Sequence, residues 1–364
     1  MKFNSYSCIL SLVIIVVTTR TQAQLSAPGS ANDGRPSSVP TNYLPTPFGW
    51  SHPSCVIEVG EDQKIDLDGN IALRSDGTVV RKLTHCQHLQ YDVRGNVISA
   101  AHPPSPTVNG WLVDGSTYTG QLAFLSANWV VPANPTNISG QVLYFFPALL
   151  PEPSNDEVLQ PVLAWNQNGP GWTIASWRYS TSMQNNHHSA LVAVNPGDQL
   201  YGYVWGTNCN TSTRVCSTWQ VLTSNGTYQT TLQSDSMGEV LNWSVGGAYE
   251  AYNVNTCDQH SPTQTMTFSN LYARTIDGVV LTPTWVEDYW SPSPACSVAF
   301  VSPTSSTATI TWCIPLTRIP GGACSGKCGQ NVSDGCGGLI ACPRQAHCAP
   351  KFTWDDYYCE CVLN

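Results

Sequence analysis

Two stretches of this chain carry polar groups whose placement could support chemistry. In Glu157-Val-Leu-Gln160-Pro-Val-Leu-Ala-Trp165, alternation along a strand puts Val158, Gln160, Val162 and Ala164 on one face, so one carboxamide stands among apolar neighbours. Glu157 falls on the opposite face and, with Asp156, reads as the solvated start of the strand. Further along, Gly247-Ala-Tyr-Glu250-Ala-Tyr-Asn-Val254 presents a carboxylate in a similar setting. A carboxylate can take a proton from water and return it to a leaving group. A carboxamide can accept through its oxygen and donate through its nitrogen, so it can hold a water or a developing oxyanion. Gln160 is therefore either a satisfied structural group or half of a catalytic pair.

Other routes to hydrolysis leave no trace in the sequence. There is no Gly-x-Ser-x-Gly elbow, no His-Glu-x-x-His and no Asp-Thr/Ser-Gly loop. His187-His188 is the one histidine pair, and adjacent residues on a strand point opposite ways, so no metal site and no cofactor is expected there. Nucleic acid is excluded as a partner by charge: the net charge is −9, and between Pro106 and Cys313 there is no lysine and only Arg178, Arg214 and Arg274.

The elements that would position these residues are strands. From Thr107 to Cys313 the chain alternates short aromatic and β-branched runs with Gly, Pro, Asn and Ser. The runs expected as strands are Gln121–Val131, Gln141–Phe146, Glu157–Trp165, Trp172–Tyr179, Ala190–Val194, Leu200–Trp205, Ser217–Leu222, Tyr249–Val254, Met266–Arg274, Val279–Trp285 and Thr307–Trp312. No segment keeps a helical period, and the spacing predicts an all-β, antiparallel β-sandwich of jelly-roll type. Residues 24–50, rich in Ser, Pro and Gly, read as a linker without a core of its own. Residues 51–106 read as a small β unit, a candidate propeptide, holding five of the fifteen basic residues. Residues 314–364 read as a disulfide-rich module whose aromatics could grip a glycan or a protein ligand.

Residues 1–23 have the pattern of a secretory signal: Lys2, an apolar run near Ile9–Val17, and Thr21-Gln-Ala23. That run is too short to span a membrane, so a secreted, extracellular protein is expected. Beyond Cys8 fourteen cysteines remain. Nearest-neighbour pairing suggests Cys55–Cys86, Cys209–Cys216 and Cys257–Cys296, although spacing alone does not fix connectivity. Sequons begin at Asn137, Asn210, Asn225, Asn242 and Asn331 and are candidate glycosylation sites.

The order of local motifs resembles the glutamic peptidases of the eqolisin type, and more distantly the neprosin peptidases, over roughly residues 107–275. Leu159-Gln160 is similar to the family's Leu-Gln strand, followed by the aromatic strand Trp172-Thr-Ile-Ala-Ser-Trp177-Arg-Tyr179. Asp198 of Val194-Asn-Pro-Gly-Asp198 then resembles the family's Gly-Asp turn, and Glu250 with Thr267-Phe268-Ser-Asn270 resembles its glutamate strand and successor. The resemblance implies a secreted acid endopeptidase in which Gln160 and Glu250 share an attacking water, polypeptides are the substrates, and Trp172, Trp177 and Tyr179 line the substrate cleft. Two departures stand out: Pro161 follows the glutamine, and Ala251 stands beside the acid where the family has tryptophan. Asn242-Trp243 offers a second register with no carboxylate. The alternatives are a carbohydrate-binding or carbohydrate-hydrolysing sandwich, and a non-catalytic binding protein on the peptidase scaffold.

Overall fold

The computed structural model describes residues 35–47, 49–91, 95–98, 111–118, 120–151, 157–180, 185–236, 238–290, 296, 298–313 and four short strands between 331 and 363. The expected signal segment, the hinge near Pro103–Pro106 and most of the cysteine-rich tail lie outside these residues.

The strands, in chain order, begin with a hairpin, β1 (Leu44–Thr46) and β2 (Gly49–Ser51). The short strands β3 (Val56–Val59), β4 (Gln63–Ile65), β5 (Ile71–Leu73) and β6 (Val79–Arg81) follow. Then come β7 (Trp111–Tyr118), β8 (Leu122–Val130), β9 (Val142–Leu150), β10 (Glu157–Trp165) and β11 (Trp172–Ser180). After these are β12 (Asn186–Ser189), β13 (Val192–Val194), β14 (Gln199–Thr207), β15 (Thr218–Ser224), β16 (Gln229–Asp235) and β17 (Trp243–Tyr252). The last of the two sheets are β18 (Thr265–Thr275), β19 (Val280–Leu281), β20 (Val286–Trp290), β21 (Ala299–Thr304) and β22 (Thr307–Thr311).

These strands form the expected antiparallel sandwich. The front sheet runs β20-β7-β17-β9-β10-β11-β12-β3, and the back sheet runs β21-β22-β18-β8-β14-β15-β16-β4-β5-β6. Between them Trp129, Phe145, Leu163, Trp165, Tyr249 and Phe268 form one continuous core. The back sheet follows the half-buried pattern of an outer layer, as in the alternating exposure of β14 and β15. The front sheet does not. Every residue of β9 and β10 is buried, so its outer face is covered as well.

The cover comes from residues expected to be a linker. Val39, Tyr43 and Trp50, with Tyr91, form a second apolar cluster against Val158, Val162, Tyr144, Trp177, Tyr179 and Tyr252 of the front sheet. The following unit is not self-contained either. β3 pairs in parallel with β12, and β4 meets β16 at Ile65–Ser234, so one unit extends an edge of each sheet. Ile57, Val59, Ile65 and Ile71 enter the same core as the sandwich strands. The three nearest-neighbour disulfides, Cys55–Cys86, Cys209–Cys216 and Cys257–Cys296, are all formed. Among the described residues no helix is long and apolar enough to cross a membrane.

A buried charge cluster fastens β10, β11 and β16 at one end. The Arg178 guanidinium, fully buried, donates from Nε to Glu157 Oε2 at 3.0 Å and from Nη2 to Glu239 Oε1 at 3.4 Å. It also reaches the Ser234 hydroxyl and the Asp235 carbonyl. Burial works against the charge on Arg178, but Glu157 and Glu239 outweigh it and raise its pKa. Burial likewise raises Glu157, and Arg178 opposes the shift. The expected solvated start of β10 is thus a buried ion pair, because Arg178 on the neighbouring strand brings its guanidinium to Glu157. Arg178→Ala would leave two buried carboxylates without their counter-charge. The expected loss is about 3–5 kcal/mol of unfolding free energy, read from the urea midpoint at constant slope; an unchanged midpoint would refute this role for the cluster.

Candidate active site

Gln160 and Glu250 both project from the outer face of the front sheet. Their same-face neighbours on β9, β10 and β17, Ala148, Val158, Val162, Ala248 and Tyr252, belong to the covered cluster and not to the inter-sheet core. Gln160 is fully buried, and neither Oε1 nor Nε2 has a hydrogen-bond partner among the described residues. A buried amide left in that state costs about 1–3 kcal/mol. Stability does not account for it.

The backbone around Gln160 is unusual. Pairing of β10 with β9 holds at Leu159–Leu149 and resumes at Leu163–Phe145, so Pro161 stands level with Pro147. Neither proline can donate to a ladder. Beside them β17 carries a bulge between Val245 and Ala248. Gly247 is required there, since a Cβ would come within 2.2 Å of the Phe268 ring. On its other side Pro161 fills a space that Gly202 of β14 leaves open; a Cβ on Gly202 would sit 2.6 Å from the proline. The departure at Pro161 is therefore accommodated by matched glycine and proline positions across three strands.

Glu250 is 1 % exposed and accepts a hydrogen bond from the Tyr252 hydroxyl at 3.1 Å. Burial, then the Glu250 charge, pushes the phenols of Tyr144 and Tyr252 well above their ordinary range. The acid therefore faces two phenols that stay protonated; Tyr252 donates to it, and Tyr144 donates to the Pro45 carbonyl. In the ladder Glu250 pairs with Tyr144, and Tyr144 with Ala164. Gln160 is thus two strands away and four residues further along, roughly 10 Å across and 13 Å along at ordinary strand spacings, or about 16 Å between Cα atoms. The fold brings the two residues to one face but not within reach of one water. Level with Gln160, β9 presents Ala148 and β17 presents Val245 at the bulge, so no acid stands at that height.

The expected walls divide. Trp177 and Tyr179 lie on the same face as Gln160, with Trp177 paired to it and stacked on His188 at 4.7 Å. Trp172 points the other way, into the inter-sheet core against Trp165 and Phe145, and so is not a cleft residue. His187 and His188 point to opposite faces, as alternation requires, and among the described residues no His/Cys/Asp/Glu group could hold a metal. Of the sequons, Asn210 is exposed, whereas Asn137 and Asn225 donate side-chain amides to Asp258 and Asp198. Asn242 is half-buried beside the front sheet.

The residues that composition and spacing missed are those that meet the covering hairpin. The Tyr144 hydroxyl donates to the Pro45 carbonyl at 2.9 Å, and the Gly49 amide donates to the Tyr252 hydroxyl at 2.8 Å. Asn186 Nδ2 donates to Ser51 Oγ at 2.6 Å. Trp50 packs edge-on to Tyr252 at 5.6 Å, and its backbone exchanges both hydrogen bonds with Tyr91. Tyr144 in β9 and Tyr252, two positions after Glu250 and so on its face, were the available signal.

No model of a known protein family and no curated protein sequence matches the chain. Solved structures do. A scytalido-glutamic peptidase with a peptide-based transition state analogue has 11% identity over 56% of this chain and 98% of its own, at a TM-score of 0.39. The same peptidase with another transition state analogue gives 11%, the same coverage and 0.42. SCP-B, of the eqolisin family, in a complex with the tripeptide Ala-Ile-His, gives 10% and 0.37. These values concern strand arrangement and bear on neither activity nor any residue.

The histidines of β12 make this region sensitive to acid. Burial lowers His188 to about 4, and burial with Arg178 lowers His187 to about 3. The unfolded values lie near 6.5, so as pH falls from there toward about 4 the unfolded chain takes up protons that the folded chain refuses, and stability falls. Glu58 and Glu157, raised by burial, work in the opposite direction. The test is therefore differential. His188→Phe is expected to remove on the order of 3 kcal/mol of acid destabilisation between about pH 6.5 and 4, seen as a flatter dependence of the urea midpoint on pH; parallel curves would count against it.

Proposed function

We propose that the outer face of the front sheet is a cleft for an extended peptide, in a secreted acid hydrolase of the glutamic-peptidase type held closed by its own N-terminal segment. The observation that carries this reading is the hairpin Leu44–Ser51. It lies on the face as a peptide would, its Pro45 carbonyl and Gly49 amide bound by buried tyrosines. These are main-chain contacts, which any sequence can make. Three disulfides among the described residues suit an oxidising compartment.

In the open form Glu250 acts as the proton-transfer group, taking a proton from water as it attacks the peptide carbonyl and returning it to the leaving amine. Tyr252 and Tyr144 orient the carboxylate. Gln160, with both polar ends unused, supplies the amide that holds the carbonyl oxygen or the water. For both to act on one peptide bond, departure of the hairpin must let the side chains converge over β9. Displacement begins at β12, where Asn186 holds Ser51 and where acid loads His187 and His188.

One observation favours a second reading, a binding protein that captures peptides without cutting them: β17 has no acid level with Gln160. The two readings separate in one experiment. Full-length protein, with and without acid pretreatment, is incubated with denatured protein substrate across about pH 2.5 to 7, the span over which carboxylates and histidines titrate. Cleavage is expected in acid, with Glu250→Gln slower by about 10²–10⁴ and Gln160→Ala by about 10²–10³. Trp50→Ala, which loosens the hairpin, is expected to shorten the lag before cleavage. Binding of denatured chains without cleavage at any pH selects the second reading, and cleavage that neither site substitution slows removes the site.

A further inference from the structure

The back sheet carries a second surface that peptide hydrolysis does not use. Its outward positions form a lattice fixed by register. Trp205 of β14 stands between Phe124 of β8 and Gln220 of β15; Tyr203 between Ser126 and Leu222; Tyr201 between Asn128 and Ser224. Tyr272 and Arg274 of β18 extend the first two rows beside Ser126 and Phe124. Tyr201, Trp205 and Tyr272 are 38–40% exposed, a large open area for such rings.

Alternation along one strand makes Tyr201, Tyr203 and Trp205 a file of rings, with centroids 6.0 and 6.5 Å apart. Phe124 stacks on Tyr203 at 5.9 Å, and Arg274 covers Phe124. Around the file stand amides and hydroxyls: Gln220, Gln233, Asn128, Ser126 and Thr231. The Tyr203 hydroxyl already donates to Gln220 at 3.1 Å. Charge is nearly absent. Arg274 stands over the Phe124 ring at 5.8 Å, and Asp235, at the margin, is bound by Lys64 at 2.7 Å.

We propose that this face binds a single, extended, neutral polysaccharide chain. Aromatic rings offer faces to the C–H faces of sugars, and amides and hydroxyls exchange hydrogen bonds with sugar hydroxyls. A face with one guanidinium among rings, amides and hydroxyls complements an uncharged polyhydroxyl chain better than an ionic or nucleic-acid ligand, which needs a run of charges to hold it. The rings step along β14 at about the interval of successive sugars in an extended chain. Their planes are inclined by 58° and 75°, so they fit one twisted, soluble chain and not a flat crystalline surface. The hydrolytic cleft and this face lie on opposite sides of the sandwich, so the protein could work while held on a glycan matrix.

The test uses the full chain with cellohexaose, xylohexaose and a soluble mixed-linkage glucan, followed by calorimetry and tryptophan fluorescence. Binding to at least one of the three is expected, weakened about tenfold by Trp205→Ala and again by Tyr201→Ala, about one ring's stacking each. Sedimentation velocity runs alongside. Absence of binding to all three glycans overturns the proposal, and so does binding that the substitutions leave unchanged. Self-association abolished by Trp205→Ala without glycan binding assigns the face to a second copy of the chain and equally overturns it. Gln160→Ala and Glu250→Gln, on the far sheet, are expected to bind glycan as the parent does, so failure of the hydrolytic reading leaves this result distinct.

Discussion

The front sheet is apolar on both faces, and much of the molecule follows from that. Val142-Leu-Tyr-Phe-Phe-Pro-Ala-Leu-Leu150 has no polar face to turn toward water, and the strands beside it are little different. A sheet of this kind must be covered twice. The back sheet covers it once. Residues 39–51 and Tyr91 cover it again, so the N-terminal segment is as much part of the packing as any sandwich strand.

That arrangement couples packing to access. The side chains that hold the hairpin, Tyr144, Tyr252 and Asn186, stand on the face that carries Gln160 and Glu250, and Tyr252 also donates to Glu250, so that face is covered by the interactions that stabilise the sheet. The edges are tied in too, with β3 on β12 and β4 on β16. One N-terminal unit therefore grips the edges of both sheets and the outer face that carries Gln160 and Glu250. Parallel pairing at both edges needs no adjacent connection, which is how a segment distant in sequence can reach both.

Much of the sandwich was legible in the sequence. Glu157–Trp165 falls on the observed strand, and the runs near 122–130, 172–180, 199–207 and 265–275 lie within a residue or two. β16 was not foreseen, because Gln229-Thr-Thr-Leu-Gln-Ser-Asp235 has one apolar residue to mark it. Its inward Thr230 and Ser234 are held by hydrogen bonds to Ser189 and Arg178 instead. Glu157 looked like a solvated terminus for a related reason: its partner Arg178 lies on the next strand, opposite Leu159, where local composition gives no sign of it. Trp172 and Trp177 look alike in sequence, yet their odd separation sends one to the inter-sheet core and the other to the covered outer face.

The sequence by itself determined what depends on short range: the strand period, the inward and outward alternation, and the common face of Gln160 with Val158 and Val162. Those follow from backbone geometry within a few residues. Only the tertiary structure decided the rest. Which residues stand level across β10, β9 and β17 depends on register, and register depends on Pro147 facing Pro161 and on the bulge at Gly246-Gly247. A single carboxamide among valines can be read from alternation alone, but what faces it is a property of strands that meet only after folding.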